Sequence, residues 1–405
     1  MYNERRPRKR SAPKKRAYQP VNAYSRASVN LSSYRLRTAA PKRWPAAVAV
    51  AMLALAVIGG VAGAYALVSS VSPHTVGGSG ADGSLTASER AFDAPVESTD
   101  ATSITLTFAG DCTLGTEESF DYATSFVGYY DERGPDYFFS GVKEIFDRDD
   151  LTIVNCEGVL TDVTTRDDKE YAYKGDPSYA EIFARSSIEA ASISNNHIYD
   201  YGWGSRGDTI NALSEAGIDV FGDEIIAYRE VKGIKVALIG ANSLSLGLGT
   251  QDTMTANISA AKDEGAQIII VFMHWGIMSE YDPSDEQIEL GRIAIDAGAT
   301  LVVGSHPHVL QGYEKYNDRY IVYSLGNFCY GGSRGLHDPD CYIFQQTFTL
   351  KNGEIETDDH IEIVPCLISS SRDYNDYRPM VAEGADKERI ESKIAKSSAG
   401  VAGRA

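Results

Sequence analysis

Short apolar segments that each end in polar side chains are the pattern that most constrains how this chain can fold. Five such segments end, in chain order, at Asp111, at Asn155 and Glu157, at Asn195, Asn196 and His197, at His274, and at His306 and His308. Four of the seven histidines of the chain lie at these ends. Because ligands of open α/β sheets bind beyond the carboxyl ends of the strands, we expect these side chains to meet at one edge.

Each of these polar ends has a simpler explanation when it is taken alone. Asn, Asp and Gly often end strands because they form turns. His274 follows the apolar run 268–273 and is also compatible with a histidine buried in the core. His306 and His308 are compatible with a solvated pair. Five converging ends are harder to explain in this way, so the set favours a binding site.

The segment His306-Pro307-His308 is the most specific member of the set. In an extended backbone, residues two apart point to the same side, and proline restricts the backbone between them. Mixed histidine, asparagine and carboxylate ligands suit Zn, Mn or Fe, whereas an all-oxygen set suits Ca or Mg. The pattern therefore predicts one or two divalent ions.

Two further polar residues have two possible roles each. Asp200 lies three residues after His197 and could orient its imidazole and hold it protonated, or it could form an Asx turn beside Gly202. Asn327 could offer its amide to a ligand, or it could end a strand with a turn.

The alternation of apolar and polar residues predicts a layered α/β fold with a mixed sheet or two packed sheets. Helices are predicted at 136–148, 177–185, 205–216, 253–264 and 284–297. Strands are predicted at 104–108, 151–154, 189–194, 234–239, 267–273, 300–303, 319–324, 341–350 and 359–365.

Charge divides the chain into segments. Residues 1–43 carry thirteen basic residues and one acid, or +12, which leaves −30 for the rest of a chain with net charge −18. We interpret 1–43 as a disordered basic tail, 45–68 as an uncharged transmembrane anchor, and 69–103 as a Gly/Ser/Asp-rich linker. A folded domain is predicted at 104–368, followed by a polar tail at 369–405.

The positive-inside rule then predicts a single-pass plasma-membrane protein with a cytoplasmic N-terminus and an extracellular C-terminal domain. A cleaved signal peptide is the alternative, since Ala64-Tyr65-Ala66 resembles a cleavage site. The basic tail could contact anionic lipid, and no nucleic-acid partner is expected.

The five cysteines show no C-x-x-C spacing, and their odd number leaves at least one unpaired in a monomer. We interpret them as small buried apolar residues. The sequence has no G-x-S-x-G segment, phosphate-binding loop or dinucleotide fingerprint. Nucleophilic triads and nucleotide-binding classes are therefore not supported.

Taken together, six segments in order resemble the CapA, or PGA_cap, family of poly-γ-glutamate capsule synthesis. They are F-A-G-D at 108–111, N-C-E at 155–157, S-N-N-H at 194–197, H-W-G at 274–276, G-S-H-P-H-V at 304–309 and Y-S-L-G-N-F at 323–328. The resemblance covers about residues 104–366.

That family resembles the calcineurin-like metallophosphatases, which implies a sandwich of two mixed sheets flanked by helices. It also implies two metal sites that share Glu157. One site would use Glu157, Asn196, His274 and His306, and the other Asp111, Glu157 and His308. His197 would protonate a leaving group. Thr113 stands where those enzymes carry a histidine, so the second site is short of one ligand.

Three functions compete at this point. The resemblance implies a factor that handles or releases an anionic polymer such as poly-γ-glutamate, together with membrane proteins of capsule synthesis. The ligand set favours a metal-dependent hydrolase of phosphoesters or amides. Thr113, in place of a histidine, favours a non-catalytic module that binds polymer. Whether the protein is an enzyme is left open.

Overall fold

The computed structural model describes residues 101–356 and 360–404, which form three β-sheets and the helices around them. The strands are β1 Thr102–Thr113, β2 Thr116–Glu117, β3 Leu151–Cys156, β4 Val159–Leu160, β5 Tyr173–Gly175, β6 Ala190–Ser192, β7 Asp219–Phe221, β8 Ile226–Val231, β9 Ile234–Asn242, β10 Ile268–His274, β11 Leu301–Ser305, β12 Tyr313–Tyr316, β13 Arg319–Val322, β14 Asn327–Tyr330, β15 Asp340–Lys351, β16 Glu354–Ile355, β17 Ile361–Leu367 and β18 Met380–Val381.

Six of the seven α-helices of the described residues lie between strands, and the seventh follows the last strand. The helices are α1 Phe126–Arg133, α2 Lys143–Phe146, α3 Ala180–Ala184, α4 Trp203–Glu215, α5 Gln251–Asp263, α6 Asp285–Ala297 and α7 Gly384–Ala402. Short 3-10 helices lie at Tyr122–Thr124, Pro135–Tyr137, Pro177–Tyr179 and Gly247–Thr250.

Both large sheets are mixed. The larger runs β18-β17-β15-β1-β3-β6-β7, with β14 beside β1 and β16 beside β15. Strands β14, β1, β3, β6 and β7 are parallel to one another. Strand β15 is antiparallel to β1, and β17 is antiparallel to β15. The six-stranded sheet runs β12-β13-β11-β10-β9-β8, with four parallel strands between two antiparallel edges. The third, small sheet is β2-β5-β4.

Strand β10 shows why its sequence is apolar throughout. Ile268, Ile270 and Phe272 face a core that also contains Leu106 and Phe344 of the larger sheet. The alternate residues of β10 face helices α5 and α6 instead. A strand that is buried on both faces has no polar positions to alternate with. The two sheets thus pack on each other, and helices cover their outer faces, as the sequence predicts for mixed sheets flanked by helices.

The predicted helices are confirmed in part. Helix α6 follows the prediction for 284–297 and begins with a capping box between Ser284 and Gln287. The prediction for 136–148 is largely wrong, because only α2 is α-helical there. The hydroxyl of Ser140 donates to the carbonyl of Tyr137 at 2.7 Å, which stabilises a turn instead of a helix.

The predicted localisation is contradicted. No helix in the described part of the chain is long and apolar enough to cross a bilayer. The longest, α7, has 19 residues but carries charged side chains along its length. This finding runs against a single-pass plasma-membrane protein with a cytoplasmic N-terminus and an extracellular domain. The predicted segments 1–43 and 45–68, and most of the linker 69–103, lie outside the described residues.

The segment expected to be a polar tail, 369–405, contains helix α7. Its Ile390 and Ile394 are buried in the core between the sheets, and Arg389 donates to the buried carboxylate of Asp340 at 2.6 and 3.0 Å. Apolar residues spaced four apart form one face of a helix, and that face holds α7 against the domain. All five cysteines are buried, as the sequence predicts, and none forms a disulfide.

Candidate metal centre

The carboxyl ends of the parallel strands bring the predicted residues together. Asp111 is in register with Asn155 on one side and with Asn327 on the other. In the second sheet, His274 is in register with Ser305. The two sheets are linked at this edge, because the backbone N–H of His306 donates to the carboxylate of Asp111 at 3.1 Å.

Glu157 is the most unusual group in this part of the molecule. Its side chain is fully buried, and neither carboxylate oxygen has a hydrogen-bond partner among the described residues. Three imidazole Nε2 atoms lie near its Oε1: His274 at 3.6 Å, His308 at 3.8 Å and His197 at 3.9 Å. A buried carboxylate without a donor is costly unless a cation compensates it.

The donor set fits a metal ion. Glu157, His306 and His308 each offer one ligand atom, and these atoms all lie within 4.8 Å of one another. Burial lowers the pKa of His306 to about 3 and lowers the pKa of His274 well below the usual value. Burial and the nearby Asp111 raise the pKa of Glu157. Neutral imidazoles beside an uncompensated carboxyl group are the ligands that a divalent ion binds.

Asn327 fixes the tautomer of His308. Its side-chain N–H donates to the carbonyl of His308 at 3.4 Å, which turns the amide oxygen toward the ring. That oxygen lies 2.8 Å from His308 Nδ1 and can only accept, so Nδ1 carries the proton. The lone pair is then on Nε2, which faces Glu157. Asn327 thus contacts a predicted metal ligand, and it begins β14 instead of ending a strand.

Ser305 contacts His274 from the neighbouring strand. The Ser305 hydroxyl donates to the carbonyl of Met273 at 3.3 Å and lies 3.1 Å from His274 Nδ1, which also lies 3.3 Å from the amide nitrogen of Asn155. His274 Nε2 lies 2.7 Å from the amide oxygen of Asn196 and 3.1 Å from His306 Nδ1. These nitrogen and oxygen atoms point into one space, as ligand atoms do.

The remaining predicted ligands are placed less favourably. Asp111 accepts from the side chain of Asn155 at 2.7 Å, and its other oxygen lies 3.5 Å from His308 Nδ1. Burial raises the pKa of Asp111, while His308 opposes this rise. Thr113 offers a buried hydroxyl with no hydrogen-bond partner among the described residues. The side of the cluster around Asp111 therefore has fewer free donor atoms than the side around His306.

His197 and Asp200 are in contact, as the sequence predicts. His197 Nδ1 donates to the Asp200 carboxylate at 2.7 Å, which leaves Nε2 facing Glu157. Lys169 also donates to Asp200. Burial lowers the pKa of His197, and the opposing effect of Asp200 does not reverse this. The ring is thus held in place by Asp200, while burial acts against its charged form.

The backbone around Pro307 differs from the predicted extended segment. His306 has φ of 95° and His308 has φ of 57°, so both lie in the left-handed region. Such residues cost on the order of 1–3 kcal/mol each and are found at sites where the surrounding structure holds them. The two imidazoles still meet, with ring centroids 5.6 Å apart.

Comparison with known proteins identifies the family of this chain. The model of the family "Bacterial capsule synthesis protein PGA_cap" matches residues 105–331, which include every candidate ligand named above. The chain belongs to this family. The family membership predicted from six sequence segments is therefore confirmed.

Two relatives of this PGA_cap member illustrate the match. It is 32% identical over 272 residues to the capsule biosynthesis protein CapA of Bacillus anthracis, covering 58% of this chain and 62% of that protein. It is 32% identical over 223 residues to the PGA biosynthesis protein CapA of Bacillus subtilis strain 168, covering 49% and 58%. The chain thus spans about three fifths of the length of these relatives.

A solved structure, a hypothetical protein from Thermus thermophilus, aligns with 65% of the chain and 98% of its own length. The TM-score is 0.42 and the sequence identity is 15%.

Four residues that surround the PGA_cap centre were not predicted. Lys169 contacts Asp200, Ser305 contacts His274, and Tyr173 and Tyr330 pack against the rings of His197 and His308. Ser305 belongs to the G-S-H-P-H-V segment, but its contact with His274 depends on the register of two strands. Lys169 lies in the connection before β5 and Tyr173 begins β5, where the sequence carries no comparable signal.

Proposed function

We propose that this chain acts in the synthesis or release of poly-γ-glutamate, or of a similar anionic capsule polymer, through a metal site at Glu157, His306 and His308. The observation that carries the proposal is the buried Glu157 carboxylate, which faces imidazole nitrogens and has no hydrogen-bond donor among the described residues. The PGA_cap family context and the names of the two Bacillus relatives support the polymer.

In this proposal, His274 and Asn196 complete the set around Glu157, His306 and His308. Asp111 and His308, with Glu157 shared, form a weaker second position because Thr113 supplies no imidazole. A bound Mn, Zn or Fe ion would act as a Lewis acid toward a carbonyl or phosphoryl oxygen. The two packed sheets and this ligand order support a calcineurin-like domain at about 104–368, whose first strand begins at Thr102.

The charge of the protein must also be reconciled with an anionic polymer. The chain beyond residue 43 carries −30, and like charges repel within roughly 8 Å at physiological salt. A divalent ion at Glu157 would supply local positive charge where the polymer has to approach. Lys169, about one third exposed beside Asp200, adds a second cation at this edge. Membrane proteins of capsule synthesis remain the proposed protein partners.

Replacing His306 by alanine tests the polymer function in cells that depend on this chain for polymer. We expect loss of most cell-associated polymer, because a ligand to the ion is removed. His337→Ala is the matched control, since His337 is exposed and is not part of the cluster. Polymer is measured by immunoblot at equal protein level. Normal polymer in His306→Ala cells would contradict the proposal.

The next prediction concerns Asn327, which contacts the imidazole of His308. Asn327→Ala should weaken metal affinity by about 10–100-fold. The substitution removes the acceptor for His308 Nδ1, and the tautomer of the ring is then no longer fixed. Asn327→Asp keeps an acceptor and should restore most of the affinity. Isothermal titration with Mn²⁺ or Zn²⁺ measures both variants. Equal affinities of Asn327→Ala and wild type would show that Asn327 does not position the ligand.

A hydrolase is the second candidate, and the contact of His197 with Asp200 favours it. If the protein hydrolyses phosphoesters or amides, His197→Ala should lower turnover by ~10²–10⁴-fold while metal content stays unchanged. The loss should be smaller for a substrate whose leaving group needs no proton. Undiminished turnover would remove His197 from the reaction. A binding role would be favoured if His306→Ala cells lose polymer while the purified wild-type protein shows no turnover.

A further inference from the structure

Two tyrosines that the sequence analysis did not single out lie beside the metal centre. Tyr173 comes from the small sheet and Tyr330 ends the strand that begins at Asn327. Their hydroxyl oxygens are 3.3 Å apart, and the residues are only 5% and 8% exposed. The two side chains, which we call the tyrosine pair, therefore share one buried hydrogen bond.

The tyrosine pair is placed against the imidazoles that surround Glu157. The ring of Tyr173 lies 4.6 Å from the ring of His197, and the ring of Tyr330 lies 5.3 Å from the ring of His308. Both imidazoles have Nε2 within 3.9 Å of Glu157 Oε1. The tyrosine rings thus pack on two of the imidazoles that face Glu157.

One hydroxyl proton of the tyrosine pair has no acceptor among the described residues. Two hydroxyls carry two protons, and the contact between them uses one, whichever oxygen donates. In the part of the chain that the structure describes, neither hydroxyl makes a second hydrogen bond. A buried O–H without an acceptor costs about 1–3 kcal/mol. The pair is therefore ready to donate to an acceptor that enters from outside the protein.

The backbone of Gly332 packs closely against both rings of the tyrosine pair. A Cβ atom at this position would lie 2.5 Å from Cζ and Oη of Tyr330 and 2.9 Å from Cζ of Tyr173. No side chain fits there without moving the rings, so the backbone packs directly on both tyrosines. The hydroxyls are thus restrained by close packing, as expected of groups that must meet a ligand in a fixed geometry.

We propose that Tyr173 and Tyr330 act together to donate a hydrogen bond to an oxyanion of the ligand bound at Glu157. The inference rests on the proposed function, because the bound ion is what brings an anion to this acidic pocket. A hydroxyl pair with a spare proton recognises an acceptor oxygen, and an anionic oxygen forms the stronger bond. The ligand class is an oxyanion, either a carboxylate, as on the polymer, or a phosphate.

The test measures anion binding and metal binding separately. Inorganic phosphate and glutarate are titrated into the full chain by calorimetry, with saturating Mn²⁺ and without metal. Tyr173→Phe and Tyr330→Phe remove only the hydroxyls. Each substitution should lower the affinity for the anion by about tenfold, the equivalent of about 1.4 kcal/mol, and leave the Mn²⁺ affinity unchanged. Tyr171→Phe is the matched control, because Tyr171 is 45% exposed and its ring lies 6.4 Å from that of Tyr173.

Further readouts keep a folding defect from deciding the result. Gly332→Ala keeps both hydroxyls but displaces them, and it should lower the affinity for the same anion. In the wild type, anion binding should change the near-ultraviolet absorption of tyrosine, and this change should persist in Tyr171→Phe. An effect on phosphate alone, or on glutarate alone, identifies the source of the oxyanion.

The inference and the proposed function can fail independently. Equal anion affinities for both Tyr→Phe variants and Tyr171→Phe would overturn the inference, as would a wild type that binds neither anion under any condition. A wild type that binds no metal would overturn the proposed metal site, and the tyrosine comparison would then be decided on the metal-free protein.

Discussion

Glu157→Gln is expected to remove metal binding and, at the same time, to stabilise the metal-free protein. The substitution deletes the buried carboxylate that faces His274 and His308. Metal affinity should fall by more than the roughly 10–100-fold that loss of an outer-sphere partner causes. The free energy of unfolding of the metal-free protein should rise by about 1–3 kcal/mol, because a buried carboxylate without donors is replaced by a neutral amide.

Both effects are measured on one preparation, by titration with Mn²⁺ or Zn²⁺ and by urea unfolding in the presence of a chelator. Glu215→Gln, at an exposed position at the end of α4, is the control and should change neither quantity. A Glu157→Gln variant that is less stable without metal would show that the carboxylate has a structural partner, and would weaken the argument for an ion at this position.

Gly304→Ala should have the largest effect on stability. A Cβ atom at residue 304 would lie 2.2 Å from the carbonyl oxygen of Tyr323 and 2.3 Å from Nε1 of Trp275. These two atoms form a buried hydrogen bond of 2.7 Å. The methyl group would force them apart, so we expect a loss of about 2–4 kcal/mol from overpacking and a broken buried hydrogen bond. Urea unfolding with a chelator present measures it.

Gly207→Ala is the matched control for this substitution. Gly207 is exposed within α4, and no described atom would crowd an added Cβ. The same change should therefore stabilise the protein by roughly 0.5–1 kcal/mol, because alanine favours a helix interior. Gly304→Ala and Gly207→Ala variants of equal stability would contradict the close packing of Gly304 on Trp275.

The ends of the parallel strands were predictable because two local signals coincide there. Residues 268–273 are apolar on both faces, which marks a buried strand, and His274 is the first polar residue beyond them. The same reasoning identified Glu157 and His306. Parallel strands bring such residues to one edge, so a local pattern was sufficient to predict a non-local cluster.

The orientation of the ligands was not predictable from the same pattern. The left-handed backbone of His306 and His308 is held by tertiary contacts such as that between the His306 N–H and Asp111. The tautomer of His308 depends on Asn327, which lies at the start of another strand, β14. Tyr173 comes from a small sheet without a clear apolar period. Each of these features depends on residues that are distant in sequence.

Locating the metal by anomalous diffraction tests the central claim most directly. Crystals grown with Mn²⁺ or Zn²⁺ would be measured above and below the absorption edge of the metal. We predict an anomalous peak within coordination distance of Glu157, His306 and His308. A fully ordered Glu157 cluster without such a peak at saturating metal, or a peak only elsewhere in the protein, would contradict the account.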